Sequence, residues 1–119
     1  MSNLRVTMDN VGGSIAKEDE RYTVTDNTAL KDMVLSSTRL KPSCSTNGHK
    51  HEGQEEVYFF QEGEGTIELD GVAHHFKPGS IFLIQDNVFH KVNASSTGAY
   101  FVCVFNGVRY DHVAVLGYN

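Results

Sequence analysis

Residues 47–65 read NGHKHEGQEEVYFFQEGEG and combine two histidines, two adjacent glutamates and a hydrophobic run that is followed by glycines. Within this stretch, His49 and His51 stand two residues apart. In an extended chain this spacing puts both side chains on one side, with their Cα atoms about 6.5–7 Å apart. Two imidazoles so placed can reach one ion at the roughly 2.1 Å typical of a Zn–N bond. The pair is therefore a candidate metal-binding element.

The two glutamates that follow begin a strand-like run. Side chains alternate along a strand, so only one of Glu55 and Glu56 can face the histidines. If Glu56 faces them, Tyr58 and Phe60 face the same way and Tyr58 brings a proton donor to the site, whereas Glu55 would bring Val57. This alternation favours Glu56 as the third ligand.

Short runs of Val, Ile, Phe, Tyr and Thr alternate with turn signals along the whole chain. The strongest signal is Asp70–Gly71, which predicts a tight hairpin because both residues tolerate positive φ. The residues 95–98, SSTG, indicate a loop. Strands are predicted at 22–25, 33–41, 55–61, 65–69, 72–76, 81–84, 88–93, 99–105 and 109–115. This pattern predicts an all-β sandwich or barrel.

Length and composition limit the class of protein. A chain of 119 residues predicts one domain, and we expect residues 1–20 to form an N-terminal arm or exchanged strand and residues 21–119 the barrel. The formal charge of −5 argues against a nucleic-acid partner. No apolar run is long enough to predict a membrane span. Without a signal-peptide pattern, Cys44 and Cys103 are interpreted as reduced thiols, and we expect a cytoplasmic protein.

A further histidine, His90, begins a later strand. In a barrel, such a distant strand can lie beside residues 49–56. Three imidazoles and one carboxylate would form an open site for a divalent cation, with positions left for water or substrate. These ligand types do not distinguish Fe, Mn, Ni, Zn or Co.

The motif in residues 49–63 resembles the first motif of the cupin superfamily. That motif is His-x-His, four residues, Glu, six residues and Gly, and His49, His51, Glu56 and Gly63 match it without a gap.

A second cupin motif is similar to the segment that starts at Gly79 and contains His90 and Asn93. Here Gln85 replaces the usual proline and Asn87 the usual glycine. Asparagine adopts the left-handed conformation at modest cost, so the bend before His90 is still expected.

The resemblance implies a cupin-type double-stranded β-helix, a small jelly-roll-like barrel. With Glu56 turned inward, Val57 and Phe59 would make the opposite face apolar as well. Since cupins commonly dimerise by sheet extension, we expect a homodimer.

Within the cupins, the sequence looks most like the small members related to sugar-phosphate isomerases. This implies a small-molecule substrate held by its adjacent oxygens and isomerised through a metal-stabilised enediolate. Glu55, Tyr58 and His75 are the candidate proton-transfer residues, and the sequence does not choose among them. The alternatives are an iron-dependent dioxygenase and a non-catalytic domain that binds a sugar or small acid.

Overall fold

All regular structure in the computed structural model, which describes residues 5–107, is β-strand. The seven strands are β1 (Ser14–Glu18), β2 (Tyr22–Asn27), β3 (Met33–Leu40), β4 (Glu56–Leu69), β5 (Val72–Phe76), β6 (Ile81–Ile84) and β7 (His90–Asn106). The all-β prediction is confirmed, while the strand predicted at 109–115 lies outside the described residues. In residues 5–107 no helix has the length and apolarity needed to span a membrane.

The strands form one antiparallel sheet in the order β1-β2-β3-β7-β4-β5, with β6 pairing to β4. The first part of β4 pairs with β6 and its last part with β5. Strand β7 pairs with nearly the whole length of β4 and, through its second half, with β3. The two long strands thus bend together, and the sheet wraps around a core in the manner of a jelly roll.

The sequence wrongly predicted interruptions within β4 and β7. Residues 62–64 continue β4, and the loop predicted at 95–98 lies inside β7. The glycines mark irregularities instead: the β4–β7 register shifts between Phe60 and Glu62 and again between Gly63 and Gly65. A Cβ on Gly63 would lie 2.0 Å from the carbonyl oxygen of Gly98. Glycine is therefore needed where the strands approach closely and bend.

The predicted hairpin between β4 and β5 is confirmed. Asp70 and Gly71 have φ values of 48° and 85°. Leu69 pairs with Val72 across the turn. Positive φ at both central residues suits the right-handed twist of the flanking strands, which is why Asp-Gly predicted this turn correctly.

The interior is filled largely by aromatic side chains from the inward-facing positions. Phe60 stacks on Phe76 with ring centroids 3.9 Å apart, and Tyr58 stacks on Phe101 at 4.8 Å. Glu56, Tyr58 and Phe60 are all buried, whereas Val57 is 41 % exposed. This confirms the predicted alternation and directs Glu56 into the barrel.

The chain before β2 lies against its own sheet. β1 pairs with β2 in antiparallel fashion. Val11 is buried with Tyr100 and Val102, and the Tyr100 hydroxyl donates a hydrogen bond to the carbonyl of Met8. These contacts cover part of the outer face of β7. The division of the chain at residue 20 stays a prediction.

Candidate metal centre

The segment between β3 and β4 brings the first two histidines to β7. Isolated bridges join Ser45 to Asn93 and His49 to His90. The His49 amide donates to the carbonyl of His90 at 3.0 Å, and the His90 amide returns a hydrogen bond at 2.9 Å. Thr46 adds a bond, since its hydroxyl accepts from the Val92 amide at 3.0 Å. Backbone pairing therefore places His49 directly opposite His90.

Three of the candidate ligands converge closely. His49, His51 and Glu56 each offer one ligand atom, and these atoms all lie within 4.8 Å of one another. The three residues are 5 %, 7 % and 7 % exposed, so the cluster is inside the barrel. Buried histidine and carboxylate groups this close together form a site able to bind a metal ion.

His90 lies against this cluster, outside the group of three. Its Nε2 is 2.9 Å from Oε2 of Glu56, and the Nε2 of His49 is 3.7 Å from the same oxygen. Its Nδ1 lies 2.9 Å from the carbonyl oxygen of Val88. A carbonyl only accepts, so Nδ1 carries a proton, and Nε2 is the ring atom that faces the cluster.

The contact between His90 and Glu56 bears on whether the four residues can hold a cation. The buried Nε2 of His90 has no aligned hydrogen bond, although the carboxylate oxygen is only 2.9 Å away. At this distance the nitrogen and the carboxylate oxygen need a positive charge between or beside them, either a proton on Nε2 or a bound cation. A divalent ion held by His49, His51, Glu56 and His90 would supply that charge, so the residues fit the metal that the sequence predicted.

The cluster also determines the charge of the carboxylate. Burial alone raises the pKa of Glu56, but the adjacent His49 and His90 imidazoles outweigh burial and lower the pKa to about 2. Glu56 is therefore in the carboxylate form, which is the form that binds metal.

The turn that precedes His90 forms despite its departures from the usual motif. Asn87 has a φ of 64°, as expected. The Val88 amide donates to the carbonyl of Gln85 at 3.2 Å, so the turn closes without proline. The Asn87 amide also donates to the carbonyl of His51 at 2.8 Å. This turn therefore contacts the loop that carries a ligand.

The three candidate proton-transfer residues lie in different places. Tyr58 is buried, with its ring edge-on to His90 at a centroid distance of 5.6 Å. Glu55 is exposed and immediately precedes Glu56, the first residue of β4. His75 is exposed on β5 and lines a surface depression to which none of the four cluster residues contributes. Of the three, the structure brings Tyr58 against His90 of the cluster, and the catalytic roles of Tyr58, Glu55 and His75 all stay predictions.

An antiparallel sheet wrapped around a buried histidine–carboxylate cluster that is able to bind a metal ion defines a class of small β-barrel proteins. The cupin domain family matches residues 36–105, which is more than half of the chain. The chain belongs to the cupin family.

Two curated relatives and one solved structure illustrate this membership. The chain is 28 % identical over 85 residues to the dimethylsulfoniopropionate lyase DddW of Ruegeria pomeroyi, covering 71 % of this chain and 55 % of the relative. It is 29 % identical over 75 residues to an oxalate-binding protein of Thermotoga maritima, covering 62 % of each. The chain thus spans less than two thirds of the length of either relative.

The solved structure is an RmlC-like cupin from Shewanella frigidimarina. It superposes with a TM-score of 0.74 at 20 % identity, covering 86 % of this chain and 90 % of the other. At this identity the similarity concerns the fold. It confirms the predicted cupin-type jelly-roll barrel.

Proposed function

We propose that this cupin is a divalent-metal-dependent enzyme acting on a small organic molecule through two adjacent oxygen atoms. The proposal rests on one observation: the side chains of His49, His51, Glu56 and His90 are buried and lie close to one another. A divalent ion held by these residues would supply Lewis-acid activation of the substrate oxygens. The leading reaction is isomerisation of a sugar or related hydroxycarbonyl compound.

The side chains around the cluster support a proton-transfer role for Tyr58. Its ring is held between the stacked Phe101 and the edge-on His90. Packing of this kind limits the rotation of the ring and fixes the direction of its hydroxyl. We propose that the phenolic oxygen holds the proton that is exchanged with the substrate.

The charge distribution favours a substrate without a phosphate group. Phosphate recognition needs cationic side chains or backbone amides at the site. Among residues 5–107 no lysine or arginine is buried. Arg39 is exposed and contacts Glu62 at 3.2 Å, and Lys41 is exposed as well. An unphosphorylated sugar or a small carboxylic acid therefore suits the barrel better than a sugar phosphate.

A non-catalytic binding domain is the second candidate. Of the three proposed proton-transfer residues, Glu55 and His75 are exposed, and His75 lines a depression to which no cluster residue contributes. One relative is named an oxalate-binding protein, and oxalate presents adjacent oxygens of the required kind. A site in which Tyr58 is the one candidate proton donor against the cluster would also suit a domain that binds its ligand without converting it.

An anaerobic assay of metal-reconstituted protein separates these candidates. We expect aldoses to be converted to ketoses without oxygen, and we expect His90→Ala to lose the activity because one metal ligand is removed. Oxygen consumption with Fe(II) would instead indicate a dioxygenase. Binding of oxalate without turnover would indicate a binding domain, and oxalate affinity unaltered in His90→Ala would contradict a role for the metal.

We also propose that two copies of the chain associate through the outer face of β4 and β6. Val57, Ile81 and Leu83 are all exposed there, and β4–β6 pairing places Val57 opposite Leu83 and Phe59 opposite Ile81. A contiguous apolar face of this kind is typical of an interaction surface. Burying it against a second copy would remove the apolar area from water.

Substitution of Ile81 tests the homodimer. Ile81 is 58 % exposed and Val72, on β5, is 57 % exposed, so Val72 provides a matched control. Light scattering at micromolar concentration should give twice the 13.2 kDa chain mass for the wild type and Val72→Glu. Ile81→Glu should give the monomer mass, because a buried unpaired charge opposes association. A monomeric wild type would contradict the proposal.

A further inference from the structure

The loop between two of the metal-ligand candidates raises a structural problem. Residues 52–55 connect His51 to Glu56 and all lie outside the strands, and three of the four, Glu52, Gly53 and Glu55, are exposed. Connecting loops are ordinarily the more mobile part of a fold. A metal site requires its ligands to be held within about 0.5 Å of their working positions. Some contact must therefore hold this loop in place.

One residue, Asn106, bonds to three consecutive residues of the loop. Its Oδ1 accepts a hydrogen bond from the Glu55 amide at 2.8 Å, and its Nδ2 donates to the carbonyl of Gly53 at 3.1 Å. Its own carbonyl accepts from Nε2 of the buried Gln54 at 2.8 Å. Asn106 thus contacts the loop through both its side chain and its backbone.

The position of Asn106 in the sheet makes these bonds relevant to the ligands. Asn106 is the last residue of β7, and His90 is the first. The residue before it, Phe105, pairs with Glu56. On the far side of the loop, Oδ1 of Asp86 accepts from the Gly53 amide. The loop is therefore held between the end of β7 and the turn that precedes His90.

We propose that Asn106 is a positioning residue for the metal centre. It holds residues 53–55 so that His51 and Glu56 point at the same place, and Gln54 completes the attachment. The inference rests on the proposed metal binding, since it assigns Asn106 to the geometry of that site. Loss of the two side-chain bonds should leave the ligands present but less well aligned.

A matched pair of variants tests the proposal. The control residue is Asn27, which also ends a strand and whose side chain also makes hydrogen bonds to the backbone. Its Oδ1 accepts from the Ala29 amide at 2.9 Å, and its Nδ2 donates to the Val11 carbonyl at 2.8 Å. None of these residues belongs to the metal-ligand cluster. We expect Asn106→Ala to weaken Co²⁺ binding by about 10-fold, the lower end of the cost of losing an outer-shell partner. Asn27→Ala should leave the Co²⁺ affinity within about twofold of the wild-type value. Calorimetric titration and the visible absorption of bound Co²⁺ measure both.

Amide hydrogen exchange in the metal-free protein provides an independent measurement. Asn106→Ala should accelerate exchange at Glu55, whose amide loses its acceptor, and Asn27→Ala should not. Equal Co²⁺ affinities and spectra for the two variants would overturn the positioning role. If wild-type protein binds no Co²⁺, the proposed function fails by itself. Unchanged exchange at Glu55 in Asn106→Ala would then overturn the attachment of the loop as well.

Discussion

Glu56→Gln is expected to lower the affinity of the protein for a divalent metal ion by more than 100-fold. Loss of an outer-shell partner typically costs about 10- to 100-fold, and loss of a direct ligand costs more. Glu56 contributes the negative charge among the four residues of the cluster, and its lowered pKa shows that the imidazoles favour the carboxylate. Glutamine has the same size but is neutral, and its amide nitrogen cannot bind the ion.

Elemental analysis and calorimetric titration of purified protein measure this loss. Glu55→Gln is the matched control, because it makes the same chemical change at the exposed residue next to Glu56. The control should bind metal like the wild type. If Glu55→Gln lost the metal and Glu56→Gln kept it, the assignment of the ligand by strand alternation would be wrong.

Removal of the metal with EDTA is expected to lower the melting temperature by on the order of 10 °C or more. A ligand that binds only the native state at about 1,000 times its Kd adds about 4 kcal/mol of stability. For a domain of this size, each kcal/mol corresponds to roughly 3 °C or more in melting temperature. A bound ion would also supply positive charge beside Nε2 of His90 and Oε2 of Glu56, which are 2.9 Å apart.

Thermal unfolding by circular dichroism, with and without EDTA, measures this difference. The difference should shrink as the pH is lowered, because imidazole binds metal only when unprotonated. Glu56→Gln is the control, and its melting temperature should not respond to EDTA. Identical melting curves for wild-type protein with and without chelator, at full metal occupancy, would contradict the prediction.

Local rules were sufficient for several features of the fold. The alternation of side chains along a strand correctly placed Glu56, Tyr58 and Phe60 on the inner face. The conformational freedom of Asp70 and Gly71 correctly predicted the hairpin between β4 and β5. Each of these rules depends on the residue itself and its immediate neighbours, and so is readable from a single sequence.

The interruptions predicted within β4 and β7 show where local rules fail. Gly63 and Gly98 both adopt positive φ, which from sequence indicates a turn. In the folded protein Gly63 instead pairs with Ala99 across continuous strands. A glycine in a turn and a glycine in a β-bulge have the same local requirement, and only the pairing partner distinguishes them.

For the candidate ligands His49, His51 and Glu56, the residue types, their spacing and the side of the strand that Glu56 faces are all encoded locally, within residues 49–63. The folded chain decided the rest. The pairing of His49 with His90, the attachment of Asn106 to the 52–55 loop, and the exposure of His75 away from the cluster all depend on which distant strands meet. That register results from packing of the whole aromatic core, because shifting one strand by one residue would turn its buried side chains outward.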